Sequence, residues 1–455
     1  MNGRGPTFAL LAAVALVAWS MVPAAGQPAP ADQPTPQPTP DAPPPTDGQP
    51  APDAQPDPAP APADPAPPAA QPVVDAPPAS DPANEVTTEE PLLPVATGFE
   101  RNLAGSIQLD YMAVPSRETG REIALDGATA EVSLKVTNDF SGTLSASVKA
   151  CIACHGLEVG MALFDIRLAD ALNVRVGRFT PSFGEFPERH DPANHRTSDK
   201  PLAYDMGRML RLGEWNEGVL PSPWVDNGLE VNGTRYFGDH FQGDYAVFAI
   251  GGPRAGADPT DFDFRLSRSG DAYYTDNNSR PSWGGQLVAT ILAGNTTLAL
   301  GASTMRGTYD PDHQLPFAIH GAHLVLRVAD VFLRAEYLTR RTRMALGPDP
   351  ESRFKYGPGP DGTFDPYFVK DGGHVELEVP LGDRFTAVLR EDGLRRRGNV
   401  LITSPLRKDS AILRHTAGLA IRLHASLRLK LSYEYYDFSD FEDEIVVHGG
   451  VAGPF

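Results

Sequence analysis

The chain has 455 residues, of which 41% are hydrophobic, and it carries a formal net charge of −19 at neutral pH. Beyond the N-terminus, no stretch approaches the run of about 20 apolar residues that a membrane-spanning helix needs, which excludes a helical membrane protein. Part of the acidity is local, since residues 27–100 hold 12 of the 58 acidic residues and no Lys or Arg.

Residues 1–26 predict a secretory signal peptide. Arg4 precedes an apolar run over residues 8–18, and small residues follow at positions 24–26, which is the order found in a cleavable export signal. The run is too short to span a bilayer as a helix. No Cys lies near the expected cleavage site, so we expect an exported protein without a lipid anchor.

Residues 27–100 form a separate segment rich in Pro, Ala and Asp. They hold 24 of the 46 prolines, and such a composition buries too little apolar surface to offset the entropy lost on ordering. We predict a disordered periplasmic linker, which could reach on the order of 200 Å if it were fully extended in the polyproline II conformation. It would be either a passive spacer or a tether to peptidoglycan.

From about Leu103 to Phe455, short segments alternate apolar and polar residues, which indicates β-strands with two unlike faces. The gaps between them are short and long in turn, which is typical of an up-and-down antiparallel barrel with two different ends. The predicted strands span residues 103–114, 122–137, 141–152, 157–168, 172–180, 226–237, 243–251, 282–293, 295–306, 317–328, 331–343, 367–380, 383–393, 412–424, 426–438 and 443–455. On this reading Arg395, Arg396 and Arg397 fall in an external loop.

Local alternation fits a soluble β-sandwich or propeller as well as a membrane barrel. The even count of 16 strands, the unlike ends and the terminal Phe455 favour the barrel. A last strand that ends in Phe resembles the assembly signal of outer-membrane barrel proteins, which implies the barrel assembly machinery as a partner. We therefore expect residues 101–455 to form an all-β, 16-stranded antiparallel transmembrane barrel in the bacterial outer membrane, with both termini in the periplasm.

The longest gap, residues 181–225, is the third external loop of this barrel. The segment before it, Asn173 to Gly184, reads NVRVGRFTPSFG and resembles the G-[RK]-F…P-F-G stretch of phosphate-selective-type porins. In general porins the third external loop folds into the barrel and narrows it. The resemblance therefore implies an inward-folded loop, and it also implies a homotrimer.

Charged residues are frequent in this loop and on the polar strand faces. In the loop they fit either internal salt bridges or a constriction that selects ions. The polar strand faces carry 13 basic against 9 acidic residues, which predicts weak anion preference. The candidate pore-lining and constriction residues are Arg175, Glu185, Arg189, Arg196, Lys200, Arg208, Arg334, Arg390, Arg414, Arg422, Arg428 and Lys430.

Arg178 breaks the alternation, because it falls on the lipid face, where charge costs roughly 2–4 kcal/mol at mid-membrane. A bulge at Gly177, a subunit interface or a place near the rim of the barrel would each remove the conflict.

The two cysteines form the motif Cys151-Ile-Ala-Cys154-His155, which resembles the attachment site of a c-type haem. The resemblance implies covalent haem on both thiols, with His155 ligating the iron. The expected sixth ligand is one of Met161, Met206, His190 and His195. Strand geometry would point Cys151 and Cys154 to opposite faces, so the hairpin would have to leave it by about Cys151. A disulfide and a metal site remain open as alternatives.

No G-x-S-x-G, P-loop or H-E-x-x-H motif occurs, so we expect no enzymatic activity. The leading interpretation is a porin for passive diffusion of small hydrophilic solutes, with weak anion preference. The alternatives are a haem-bearing barrel in outer-membrane electron transfer, and a cell-wall-tethering or adhesion barrel without a transport role. Outer-membrane lipids and lipopolysaccharide are expected partners, and nucleic acid is not.

Overall fold

The computed structural model describes residues 103–114, 127–153, 156–257, 259–268, 270 and 274–455. The predicted signal peptide, the predicted linker, and Cys154 with His155 lie outside these residues. Among the described residues, no helix combines the length and the apolar character that a membrane span requires.

Within the described residues, sixteen antiparallel strands form one closed barrel, in which each strand pairs with its neighbours in sequence and β1 pairs with β16. The strands are β1 Leu103–Ala113, β2 Gly127–Asp139, β3 Leu144–Ala153, β4 Gly156–Ala169, β5 Leu172–Phe179, β6 Asp226–Phe237, β7 Phe241–Ile250, β8 Ser282–Ala293, β9 Thr296–Thr308, β10 Pro316–Val328, β11 Val331–Arg343, β12 Tyr367–Leu381, β13 Phe385–Gly398, β14 Asp409–His424, β15 Leu427–Phe438 and β16 Glu444–Pro454. Short helical turns lie in the loops at Phe186–Arg189, Leu202–Tyr204, Leu212–Trp215, Phe264–Ser267 and Pro350–Arg353.

The predicted 16-stranded antiparallel barrel is confirmed, and the β-sandwich and the propeller are excluded by the closed pairing. Several boundaries differ by a few residues, among them the starts of β3, β7 and β14. The end of β13 was wrong by five residues: the strand continues to Gly398, so Arg395, Arg396 and Arg397 lie in a strand and not in a loop. The extension has a physical cause, because Arg395 pairs with Asp409 at 2.5 Å across the β13–β14 hairpin. An ion pair between neighbouring strands stabilises the added rungs.

The two faces of the barrel wall differ in polarity. In β15, Leu431 and Tyr433 point outward and are 42% and 46% exposed, whereas Lys430 and Glu434 point inward and are fully buried. On the other strands too, apolar side chains such as Leu287 and Leu389 are exposed on the outside. The interior holds charged side chains and, in addition, a buried apolar cluster that includes Phe248 and Phe317. A soluble barrel would have the opposite arrangement, since apolar surface is driven away from water.

Phe455 lies at the seam where the barrel closes. Its backbone N–H and C=O exchange hydrogen bonds with Gly105 at 3.0 and 2.9 Å. A Cβ on Gly105 would lie 2.3 Å from the Phe455 ring, so only glycine fits beside it. Both chain ends of the barrel therefore meet at one rim, the rim that carries the short turns.

Candidate pore constriction

Residues 180–225, which connect β5 to β6, run through the interior of the barrel. Tyr204 donates its hydroxyl to Glu336 on β11 at 2.6 Å, and the side chain of Gln108 on β1 donates to the carbonyl of Ser198 at 3.3 Å. A segment that reaches inward-pointing side chains on the far wall lies between the walls. We call residues 180–225 the inward segment.

Two arginines of the far wall hold the middle of the inward segment. Arg390 on β13 donates to the Thr197 hydroxyl at 2.7 Å and pairs with Asp392 at 2.8 Å. Arg414 on β14 pairs with Asp199 at 3.0 Å and donates to the Lys200 carbonyl at 2.6 Å. Both guanidinium groups are buried, and charge-assisted hydrogen bonds of this kind are the stronger ones in proteins.

Two lysines bind backbone carbonyl groups of the same segment. Lys430 on β15 donates to the carbonyls of Pro192 and Thr197 at 2.5 and 3.2 Å. The Lys370 ammonium group on β12 lies 2.6–3.4 Å from four successive carbonyl oxygens, those of residues 215–218, among which it shares its three N–H donors. Each ammonium group thus satisfies backbone acceptors that would otherwise be buried without a donor.

A second charged cluster surrounds the start of the inward segment. Arg189 donates to Glu185 at 2.8 Å and lies 3.1 Å from Glu376 on β12. Arg334 on β11 bridges Glu185 at 3.3 Å and Glu378 at 2.6 Å. Opposite charges therefore alternate through the cluster, which reduces the net charge at this side of the interior.

Of the remaining sequence-predicted candidates, Arg196 joins the second cluster through Glu378, and the others make contacts of their own. Arg175 pairs with Asp165 and Glu230, Arg208 with Asp110, and Arg196 with Glu378, at distances between 3.0 and 3.5 Å. Arg428 donates to the Ala193 carbonyl at 2.8 Å, and Arg422 donates to the Asp383 carbonyl at the short-turn rim. The twelve candidates thus form two central clusters and several outlying contacts, and they do not form a single ring.

Burial shapes the ionisation of the inward segment. It lowers the pKa of His190 to about 4 and that of His195 well below its usual range, the latter also because Lys430 and Arg189 lie nearby. It raises the pKa of Asp199 to about 7, aided by repulsion from Glu434. Both histidines are therefore neutral at pH 7, because burial disfavours the charged imidazolium.

Sequence reasoning missed Lys370 and His374 on β12. They share the inward face with Glu376, so strand alternation from Glu376 could have selected both. The partners of Lys370 on the inward segment could not have been found this way, because those contacts join residues more than 150 positions apart.

The structure describes the cysteine motif as far as Ala153. Cys151 pairs with Glu158 across the β3–β4 hairpin, and the pairing continues to Ala153 and Gly156. Strand geometry thus persists past the point where haem attachment would require it to end. Cys151 lines a cavity of about 70 Å³ together with His190, His195 and Met206, while Met161 packs against the apolar core. With Cys154 and His155 outside the described residues, the haem, disulfide and metal alternatives stay predictions.

Arg178 is the penultimate residue of β5, at the rim with the long loops. The residue before it, Gly177, has a φ of +126°, and Arg178 donates to the Val159 carbonyl at 2.7 Å. The Tyr274 ring covers its guanidinium group at 3.8 Å. The position near the rim, with an aromatic cover, removes the conflict that alternation predicted for this charge.

No known protein-family pattern and no curated protein sequence matches the chain. Similar solved structures include the outer membrane channel DcaP of Acinetobacter baumannii, at 11% identity and a TM-score of 0.47 over 78% of this chain and 96% of that one. Salmonella typhi OmpF in complex with daunomycin has 10% identity and a TM-score of 0.47, over 78% and 97%. An anion-selective porin from Comamonas acidovorans has 12% identity and a TM-score of 0.44, over 78% and 98%.

Proposed function

We propose that this chain is a bacterial outer-membrane porin for passive diffusion of small hydrophilic solutes, with both barrel termini in the periplasm. The observation that carries the proposal is the polarity of the wall, apolar outside and charged inside. Leu287 at the centre of β8 is 67% exposed, whereas Arg390, Arg414 and Glu434 are buried within. An apolar outer face is compatible with contact to lipid, and polar side chains inside are compatible with the passage of a hydrophilic solute.

Aromatic side chains near the strand ends support the same proposal. Phe237 ends β6, Phe241 begins β7, and Trp283 is the second residue of β8; their exposed fractions are 56%, 39% and 56%. Aromatic residues concentrate at the two membrane–water interfaces of outer-membrane barrels, where their amphipathic rings are best placed.

Weak anion preference is the finer part of the proposal. The central clusters contain both signs of charge, so they favour neither ion strongly. Arg422 and Arg428, on adjacent strands near the short-turn rim, donate to backbone carbonyls. Their charges add to that of Arg196, which is 30% exposed. A basic group at one mouth raises the local concentration of anions.

Planar-bilayer recordings of the purified full chain test the proposal. We expect discrete channels, and in a KCl gradient a reversal potential of the sign that chloride preference gives. The double variant Arg422→Gln/Arg428→Gln should move the reversal potential toward that of a non-selective pore. The absence of channels would contradict the porin, and clear cation preference in the unaltered chain would contradict the anion preference alone.

A homotrimer belongs to the proposal through the resemblance of the 173–184 stretch to porins. The mass of the protein–detergent complex, corrected for bound detergent, tests it. Three chains per particle are expected, and a single chain per particle would contradict it.

Covalent haem at Cys151, Cys154 and His155 remains a separate proposal, supported by the motif and by the cavity that Cys151 shares with His190, His195 and Met206. One haem cannot cross a membrane core of about 30 Å alone, so an electron-transfer role would require partner cytochromes. Protein made with the haem-attachment machinery should keep a Soret absorption band after denaturation. The variant Cys151→Ser/Cys154→Ser should lack it, and loss of the band from the unaltered chain would reject the haem.

A further inference from the structure

Glu336 and His374 are direct cross-strand neighbours on β11 and β12. Both point into the barrel, and they are 4% and 3% exposed. Glu336 accepts hydrogen bonds from the backbone N–H groups of Glu185 and Phe186, at 2.8 and 3.2 Å, and from the Tyr204 hydroxyl at 2.6 Å. These donors are all neutral, so a buried carboxylate lies here without a cation among its hydrogen-bond partners.

His374 has the complementary feature. Within the described part of the chain, neither of its ring nitrogens has a hydrogen-bond partner. An unpaired polar group in a buried position destabilises the fold, because it has lost its hydrogen bonds to water without replacement. A bound metal ion would give the His374 imidazole a partner and would supply the positive charge that the Glu336 carboxylate lacks.

We propose that Glu185, Glu336 and His374 bind a divalent transition-metal ion of the zinc class. Their ligand atoms lie within 4.8 Å of one another, and two carboxylates with one imidazole are a donor set that suits such ions. His323 on β10 is the other cross-strand neighbour of Glu336. It is 8% exposed, but its ring lies against Gly301 on β9, on the side away from Glu336, so the proposed site consists of the three residues alone.

A second group of three ligating side chains, Asp199, Glu434 and His448, shows what a site that needs no metal looks like. There the Arg414 guanidinium lies 3.0 Å from Asp199 and 3.3 Å from Glu434. It occupies the place between the carboxylates that an ion would take. At the proposed site Arg189 and Arg334 pair with Glu185 at 2.8 and 3.3 Å, and also with Glu376 and Glu378 on β12. Among the described residues neither arginine pairs with Glu336, which is left for the metal.

The location gives the ion a structural consequence. Glu185 belongs to the inward segment, whereas Glu336 and His374 belong to the wall. One ion bound to all three would join the start of the inward segment to β11 and β12. Metal binding would therefore stabilise the segment in its place, in the way that a ligand specific for the folded state stabilises that state.

Calorimetric titration of the full chain in detergent with Zn²⁺, after chelator treatment, tests the proposal. We expect one high-affinity equivalent. His374→Gln and Glu336→Gln should each weaken it by about tenfold or more, since even the loss of an outer-sphere partner costs that much. His320→Gln is the matched control, because His320 is an exposed histidine on the same strand as His323, and it should leave the affinity unchanged.

The cysteine motif is the competing zinc site, and two measurements separate it. The titration is repeated on the Cys151→Ser/Cys154→Ser background, where the equivalent should remain. X-ray absorption at the zinc edge should show ligands at about 2.0–2.2 Å, as for N and O, and none at about 2.3 Å, as for sulfur. Three results would each overturn the proposal. The unaltered chain binds no Zn²⁺, the bound zinc has sulfur ligands, or neither His374→Gln nor Glu336→Gln changes the affinity.

Discussion

The burial of His195 makes the inward segment sensitive to acid. Its Nδ1 donates to the Thr197 carbonyl at 2.9 Å, and burial lowers its pKa well below the usual range, with Lys430, Arg189, Lys200 and Arg390 adding repulsion. The imidazole of His195 therefore binds a proton more readily in the unfolded chain than in the folded chain. Stability from this group is fully present above the unfolded pKa of about 6.5 and is lost as the pH falls below it, by up to about 1.4 kcal/mol per pH unit.

His195→Gln should therefore flatten the pH dependence of unfolding between pH 6.5 and 4.5. Urea unfolding in detergent at several pH values measures it. His240→Gln, at an exposed histidine in the β6–β7 turn, is the control and should retain the slope of the unaltered chain. Equal slopes for the unaltered chain and His195→Gln would contradict the assignment.

Lys370 is the residue on which the end of the inward segment depends. Lys370→Met keeps most of the side-chain volume but leaves the carbonyls of residues 215–218 without their donor. The expected loss is about 2–3 kcal/mol of unfolding free energy, accompanied by a noisier channel because the segment is held less tightly.

Lys355→Met is the matched comparison. Lys355 also donates to two carbonyls, those of Ser404 and Leu406 at 2.8 and 2.9 Å, but it is exposed in the long loop between β11 and β12. Its loss should cost about 1 kcal/mol or less and leave channel noise unchanged. Similar effects of the two substitutions on noise would show that Lys370 does not hold the segment.

At this scale the sequence allowed the inward residues to be chosen but not their partners. Alternation placed Arg390, Arg414 and Lys430 on the polar face, where they are buried. It could not pair Arg414 with Asp199, because that contact spans 215 positions and depends on the path of an irregular segment. Chain-wide periodicity holds no information on such a path.

Among the strands, β5 depends on one glycine. Gly177 has a φ of +126°, and a Cβ there would lie 2.3 Å from the Ala162 carbonyl oxygen and 2.9 Å from the Leu163 Cα. Gly177→Ala should therefore cost about 2–3 kcal/mol, since neither backbone strain nor a clash with backbone is easily relieved. Gly243→Ala on β7 is the control, because the nearest atom to a Cβ at this position would be in the Phe237 ring, at 3.5 Å.

Thermal or urea unfolding of both variants in the same detergent measures the difference. A loss for Gly177→Ala no greater than for Gly243→Ala would mean that β5 does not need the positive φ. In that case the covered position of Arg178, the next residue, would have to depend on Tyr274 alone.

The strands were the predictable elements because each carries its own signal. β6, β8 and β11 begin and end at the predicted residues, 226–237, 282–293 and 331–343. A short turn follows β6 and β8 and precedes β11. β13 was predicted too short, because the basic run at its end does not alternate between apolar and polar residues. The ion pair between Arg395 and Asp409 on β14 stabilises the strand there. Strand boundaries were thus predictable where the alternation of residues, the charge distribution and the turn residues all indicated the same position.

For the whole molecule, the decisive question is whether the exposed apolar wall contacts lipid. Leu287 lies sixth of 12 residues in β8, and Leu423 is the penultimate residue of β14 at the short-turn rim; they are 67% and 55% exposed. In a bilayer, Leu287→Arg should cost about 2–4 kcal/mol of folding free energy and Leu423→Arg about 0–1 kcal/mol, because the penalty depends on depth.

Reversible folding into phospholipid vesicles, followed by denaturant titration, measures both costs. In water the two leucines are equivalent surface positions, and replacing either with arginine would be neutral or favourable. A difference of about 2 kcal/mol or more between the variants would therefore place the membrane across the middle of the barrel. Equal and small costs would mean that this wall does not contact lipid, and the proposed porin function would fail with it, because diffusion through the interior requires the barrel to span the membrane.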